Sequence, residues 1–106
     1  MITIEELKKV EIKIGRILSA QRIENTDKLI KLEVDLGDEK RQIVSGIAEF
    51  YKPEELEGKQ IPIFSNLEPK TFKGVESHGM ILAVSVDSKP VLLHPAEDVP
   101  AGSIVI

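Results

Sequence analysis

Between Ile30 and Leu36 the side chains alternate without a break: Ile30, Leu32, Val34 and Leu36 are apolar, and Lys31, Glu33 and Asp35 are charged. A period of two fits a half-buried strand, whereas a helix would repeat its apolar stripe every three or four residues. Gly37-Asp38-Glu39-Lys40 supplies turn chemistry, and Arg41-Gln42-Ile43-Val44-Ser45 returns as a second strand. Residues 29–45 are therefore predicted to form a β-hairpin.

The flanking segments extend the pattern. Thr3 and Glu6 have the spacing of a capping box, which predicts a short helix through about Lys9. Val10, Ile12 and Ile14 alternate with Glu11 and Lys13 as a strand, and Gly15 interrupts the alternation as a bulge or bend that would let one strand curve into a barrel wall. In residues 52–58, Pro53 suits a first helical position, Glu54 and Glu55 suit the positive dipole end and Gly58 suits the stop, so a small connecting helix is expected. Ile61 to Phe64 reads as a strand at an edge or a ladder end, because Pro62 lacks a donor. Residues 65–79 read as a long polar loop, followed by strands at Met80–Val86, Val91–Leu93 and Ser103–Ile106. The fold class expected is mainly all-β: one domain over residues 1–106, built as a five-stranded oligonucleotide/oligosaccharide-binding barrel with extra C-terminal strands.

Composition narrows the chemistry. The 106 residues contain no cysteine, which excludes a disulfide framework, thiolate metal sites and cysteine nucleophiles. No apolar run reaches the ~20 residues of a membrane span, and the N-terminus carries glutamates where a signal peptide needs basic residues. A cytoplasmic setting is expected. The net charge is -4, so a nucleic-acid partner would need a local basic patch. Residues 1–45 carry 9 basic and 9 acidic groups against 5 and 9 in the remainder, which places the basic residues toward the front. His78 and His94 have no metal-ligand spacing, no nucleophile elbow or phosphate-cradling glycine run is present, and Glu54, Glu55 and Glu57 fit a solvated helix start. No enzyme site, metal or cofactor is expected.

A binding face is better supplied. Lys28, Lys31 and Arg41 lie on or beside the hairpin with Gln42 and Ser45, where such barrels hold ligands. Lysine and arginine there would neutralise phosphates, and the amide and hydroxyl groups would meet exposed base edges. Lys31 shares a strand face with Glu33 and Asp35, so a plain solvated face is the competing reading. The 65–80 stretch adds Asn66, Lys70, Lys73 and Ser77, with Phe72 either stacking on a base or anchoring the loop.

Four segments then carry a resemblance: residues 41–48 (Arg-Gln-Ile-Val-Ser-Gly-Ile-Ala), 53–59 (Pro-Glu-Glu-Leu-Glu-Gly-Lys), 65–70 (Ser-Asn-Leu-Glu-Pro-Lys) and 74–83 (Gly-Val-Glu-Ser-His-Gly-Met-Ile-Leu-Ala). In this order they resemble the tRNA-binding domain family, which includes the C-terminal appendix of methionyl-tRNA synthetases, free-standing dimeric tRNA-binding proteins and a secretion-chaperone-like branch. The likeness runs from about Ile2 to the C-terminus. It implies recognition of tRNA by shape and a groove lined by Lys28, Lys31, Arg41, Gln42, Ser45, Asn66, Lys70, Lys73, Ser77 and Met80, with core filling as the alternative for Met80. His78 departs mildly from the family, where a small polar group follows the serine. The resemblance also implies a symmetric homodimer, since the chain stops at Ile106, with Val91–Leu93 and Ile104–Ile106 as interface material and a synthetase catalytic body as a further partner. A peptide-binding chaperone using the same groove is the other reading. Lys31→Ala and Arg41→Ala are both expected to lower tRNA affinity while leaving stability intact.

Overall fold

The computed structural model describes all 106 residues. The capping box forms: the Glu6 backbone N–H donates to Thr3 Oγ1 at 3.2 Å, and the Thr3 N–H donates to the Glu6 carboxylate at 3.3 Å. It starts a single helical turn, α1 (Ile4–Leu7), which stops short of Lys9 and buries none of its residues.

Five antiparallel strands make the principal sheet. They are β1 (Ile12–Arg22), β2 (Ile30–Asp35), β3 (Lys40–Ser45), β4 (Gln60–Phe64) and, after an intervening hairpin, β7 (Met80–Ile81). Their order is β3-β2-β1-β4-β7. The sheet curls until its two ends meet through polar bonds: the His78 N–H donates to the Gln42 carbonyl at 2.9 Å, and the Val44 N–H donates to Ser77 Oγ at 2.9 Å. The interior is filled by Ile17, Ile30, Leu32, Val34, Ile43, Ile61 and Ile63, each at most 1% exposed. Leu56 from the connecting turn α2 (Pro53–Leu56) plugs the same core. Pro53 does sit at the helix start. The expected hairpin is β2–β3, with Leu32 opposite Ile43 and Glu33 opposite Gln42.

Several sequence expectations are corrected. β1 begins at Ile12, runs through Gly15 and continues to Arg22, and the bulge lies at Leu18, between the pairs Ile17–Val34 and Ser19–Glu33. Gly15 serves a close approach instead: a Cβ there would overlap the buried Val34 side chain and stand 3.1 Å from Leu36 Cδ2. β4 is not an edge strand, because β1 and β7 flank it. Its ladder with β7 is only two pairs long, however, and Pro62 sits at the end of it, offering its carbonyl to the Leu82 N–H at 3.1 Å.

Residues 65–79 are not a plain loop. They contain a hairpin, β5 (Lys70–Phe72) and β6 (Val75–Ser77), closed by Lys73 and Gly74 at φ 50° and 80°. Two left-handed residues are what a tight two-residue hairpin turn requires. The segment read as one strand from Met80 to Val86 divides at Leu82 into β7 and β8 (Ala83–Val86), and β8 pairs with β9 (Lys89–Leu92) across Asp87 and Ser88, also at positive φ. At the C-terminus the expected strand is reduced to one bridge, Lys13–Ile104. Residues 102–105 nevertheless bond to the edge of β1 that β2 leaves after Asp35: Gly102 N–H to Ile14 carbonyl at 2.7 Å, Ile14 N–H to Ser103 carbonyl at 2.8 Å and Val105 N–H to Ile12 carbonyl at 2.9 Å.

Candidate nucleic-acid interface

Residues directly opposite each other in an antiparallel sheet point to the same side. Across β1, β2 and β3 the outward-facing set therefore forms rows: Gln21, Lys31 and Val44; Ser19, Glu33 and Gln42; Arg16, Asp35 and Lys40. The last row is largely committed. Arg16 donates to the Gly58 carbonyl at 2.7 Å and to Asp98 at 2.6 Å, and Asp35 accepts from the Gly37 N–H at 2.8 Å. The other two rows apart from the buried Val44, together with Lys40, Arg41 and Leu32, line a recess of about 270 Å³ on the outer face. The Lys31 and Lys40 ammonium groups, the Glu33 carboxylate, the Ser19 hydroxyl and the Gln21 amide there make no side-chain hydrogen bond or ion pair. Gln42 spends its amide N–H on the Glu76 carbonyl at 2.8 Å and keeps its oxygen free.

Parity separates the predicted residues. Lys31 and Gln42 belong to this outer face, but Arg41 and Ser45 pair with Val34 and Ile30, on the side of Ile43. Ser45 is half-buried at the strand end. Arg41 sits at the barrel mouth, its guanidinium bonded to the Glu39 carboxylate and to the carbonyl of buried Ser65, with the His78 carbonyl at 3.5 Å. It ties β3 to the β4–β5 connection and the segment before β7. Its charge is engaged by these partners while Arg41 also borders the outer recess, so Arg41→Ala is expected to lower stability as well as to probe ligand contact.

Two more predicted residues are bonded within the fold. Asn66 accepts from the Glu11 N–H at 2.8 Å and donates to the Lys9 carbonyl at 2.7 Å, stapling the chain ahead of β1. Ser77 is 2% exposed and spends its hydroxyl on the Val44 N–H and, at 3.0 Å, the Gly79 carbonyl. Ser77 presents no free group to a ligand, whereas Asn66 is exposed and keeps its second amide N–H. The remaining four stand at the surface. Lys28 is exposed on the β1–β2 connection, and Lys73 is exposed at the tip of the β5–β6 hairpin. Lys70 places its ammonium 5.1 Å from the centre of the half-buried Phe72 ring. Met80, 45% exposed, lines an apolar notch of about 240 Å³ with Val44, Leu67 and Phe72.

Ser19, Gln21 and Lys40 were not singled out in the sequence. Ser19 and Gln21 reach the face only because the bulge at Leu18 resets the alternation of β1. Electrostatically the region is mixed: free lysines surround the exposed Glu33. At the mouth, the Ser65 hydroxyl donates to Glu11 at 2.7 Å and, with Lys13, holds that carboxyl below its ordinary pKa. Arg41 does the same for Glu39. Both carboxylates therefore stay charged at neutral pH.

Comparison with known proteins agrees with this architecture. The family described as "Putative tRNA binding domain" matches residues 12–104. The methionine–tRNA ligase of Archaeoglobus fulgidus is 56% identical over 104 residues, and that of Methanothrix thermoacetophila is 50% identical over 102. These alignments cover 98% and 96% of this chain but only 16% and 15% of the ligases, so the chain spans about one-sixth of the length of these curated relatives. Among solved structures, a MetRS-related protein from Pyrococcus horikoshii superposes with a TM-score of 0.96 at 45% identity, covering 100% of this chain and 98% of the other. The chaperone CsaA from Bacillus anthracis superposes at 0.90 with 28% identity, covering 100% and 99%. The family match takes in every strand of the barrel, and the chain belongs to the tRNA-binding domain family.

Proposed function

We propose that this chain is a non-catalytic module that grips tRNA on the outer face of β1–β3 and the adjoining β5–β6 hairpin, and so strengthens a methionyl-tRNA synthetase's hold on its tRNA. The observation that carries this reading is the set of unpartnered groups around Lys31, with Lys40 in the same recess and Lys28, Lys70 and Lys73 exposed on the β1–β2 connection and the β5–β6 hairpin. A flexible rim of lysines can follow a folded phosphate backbone, and few aromatic rings are present for stacking on single strands. Linked to a catalytic body, such a module raises the effective concentration of tRNA and leaves the chemistry unchanged.

Titration of the purified chain against unfractionated tRNA and an unstructured RNA of equal length tests it. Tighter binding to tRNA is expected, weakening about tenfold or more between 50 and 200 mM salt. Lys31→Ala should weaken it severalfold at an unchanged urea midpoint. Failure of both RNAs to bind would overturn the reading. The apolar notch of Val44, Leu67, Phe72 and Met80, and the likeness to CsaA, favour a peptide-binding chaperone as the second reading. Binding of an apolar peptide that persists at high salt would establish it.

A homodimer is part of the proposal. Ile4, Leu7, Val10 and Ile12 meet Ile104, Val105 and Ile106 around an apolar cavity of about 470 Å³, and Val91 and Leu93 are also exposed. A second copy covering this patch would remove it from water. Light scattering should give twice the chain mass for the parent and the single mass for Leu7→Glu. A parent of single mass at tens of micromolar would exclude the dimer.

A further inference from the structure

The outer face contains one group that phosphate binding does not explain. Glu33 lies at the centre of the middle strand, between Ser19 and Gln42 in its row and two residues from Lys31 on the same side. It is exposed and makes no ion pair, although Lys31, Lys40 and Arg41 line the same recess, the last of them paired with Glu39. A carboxylate in a surface that only neutralises phosphates opposes binding. A carboxylate that accepts from a base contributes to it, because it can take two N–H donors side by side.

Among the common RNA bases, guanine alone presents two adjacent donors on its Watson–Crick edge, N1–H and the N2 amino group, beside the O6 acceptor. The complementary surface is a pair of acceptors next to a donor. Glu33 and Lys31 supply that order, their Cα atoms about 6.6 Å apart along one face of a strand. The recess of about 270 Å³ holding both is large enough to admit a single base. An unpaired base turned out of an RNA fold is the form in which such an edge is accessible.

We propose that Glu33 and Lys31 read one unpaired guanine within the bound RNA, Glu33 accepting from N1–H and the N2 amino group and Lys31 donating to O6. The inference rests on the reading of this face as the RNA interface and adds a single base preference to recognition by shape.

The test uses the full chain, labelled with ¹⁵N, titrated by NMR at low salt with uridine pentanucleotides. The middle base is uridine, adenosine, cytidine, guanosine or inosine, which is guanosine without the N2 amino group. The guanosine oligonucleotide should bind roughly tenfold more tightly than the adenosine one, the low end of what a bidentate base contact contributes. Inosine should fall between them. Glu33→Gln, exposed and isosteric, should keep the parent's spectrum, lose the guanosine preference to within about twofold, and bind the uridine oligonucleotide at least as well as the parent does.

Equal binding of all five oligonucleotides by the parent would overturn the proposal, as would a Glu33→Gln chain that binds all of them more tightly by the same factor. Unfractionated tRNA, added separately, keeps the two levels apart. Perturbation of the Lys31, Glu33 and Gln42 amides by tRNA without any base preference removes the guanine reader and leaves the interface standing. No response to tRNA or to any oligonucleotide removes both.

Discussion

Replacing Gly102 with alanine is expected to destabilise the fold by about 3 kcal/mol or more, a large share of the roughly 5–15 kcal/mol that holds a domain of this size together. Gly102 has φ +90°, where an L side chain costs about 1–2 kcal/mol. It also lies against the end of β2, so that a Cβ would overlap the Leu36 carbonyl oxygen and stand 3.0 Å from its carbon. Leu36 is 2% exposed and belongs to the core, so its backbone cannot withdraw without disturbing the barrel, and overpacking of this kind costs about 1–3 kcal/mol more. Gly74→Ala is the control. Gly74 has φ +80° but nothing within 4 Å, so its substitution carries the conformational cost alone. Urea unfolding of the two variants should separate them clearly, and equal midpoints would show that the turn at Gly102 relaxes freely.

Arg41→Ala is expected to cost about 2–3 kcal/mol, because it strands the buried Ser65 carbonyl and removes a charge-assisted bond to Glu39. Arg41→Lys should restore only part of this, since one ammonium cannot reproduce the planar fork that reaches both partners. Denaturant midpoints, read beside RNA affinities, decide the matter. If Arg41→Ala were as stable as the parent and still lost RNA binding, the residue would return to the ligand-contacting set.

The reversal at Arg41 shows what a linear sequence gives up and what it withholds. The β2–β3 hairpin was legible because one of its faces is buried and the other is wet, which prints a period of two onto Ile30–Leu36. Once Ile43 is placed inside, counting by twos puts Arg41 and Ser45 on the inner side and Gln42 outside. That much was available from the sequence. The second half of β1 was not, because the extra residue at Leu18 shifts the alternation just where a reader would look for it. β5 and β6 are too short to show a period at all, and their only local signal was Lys73-Gly74 at the turn. Asn66 and Ser77 were legible as polar residues, but their partners Glu11 and Val44 lie 55 and 33 residues away, and only the closed barrel brings them together.

The pairing of residues 102–105 with Ile12 and Ile14 also sets a schedule for biosynthesis. β1 is made ahead of the other strands, yet one stretch of its edge has no partner until roughly 90 further residues have left the ribosome, about 5–20 seconds at ordinary elongation rates. Throughout that interval the nascent chain carries an open strand edge beside the apolar side chains of Ile12 and Ile14, a template for unwanted pairing. The wait ends with the turn at Gly102, which makes that glycine the latch of the barrel in time as well as in space.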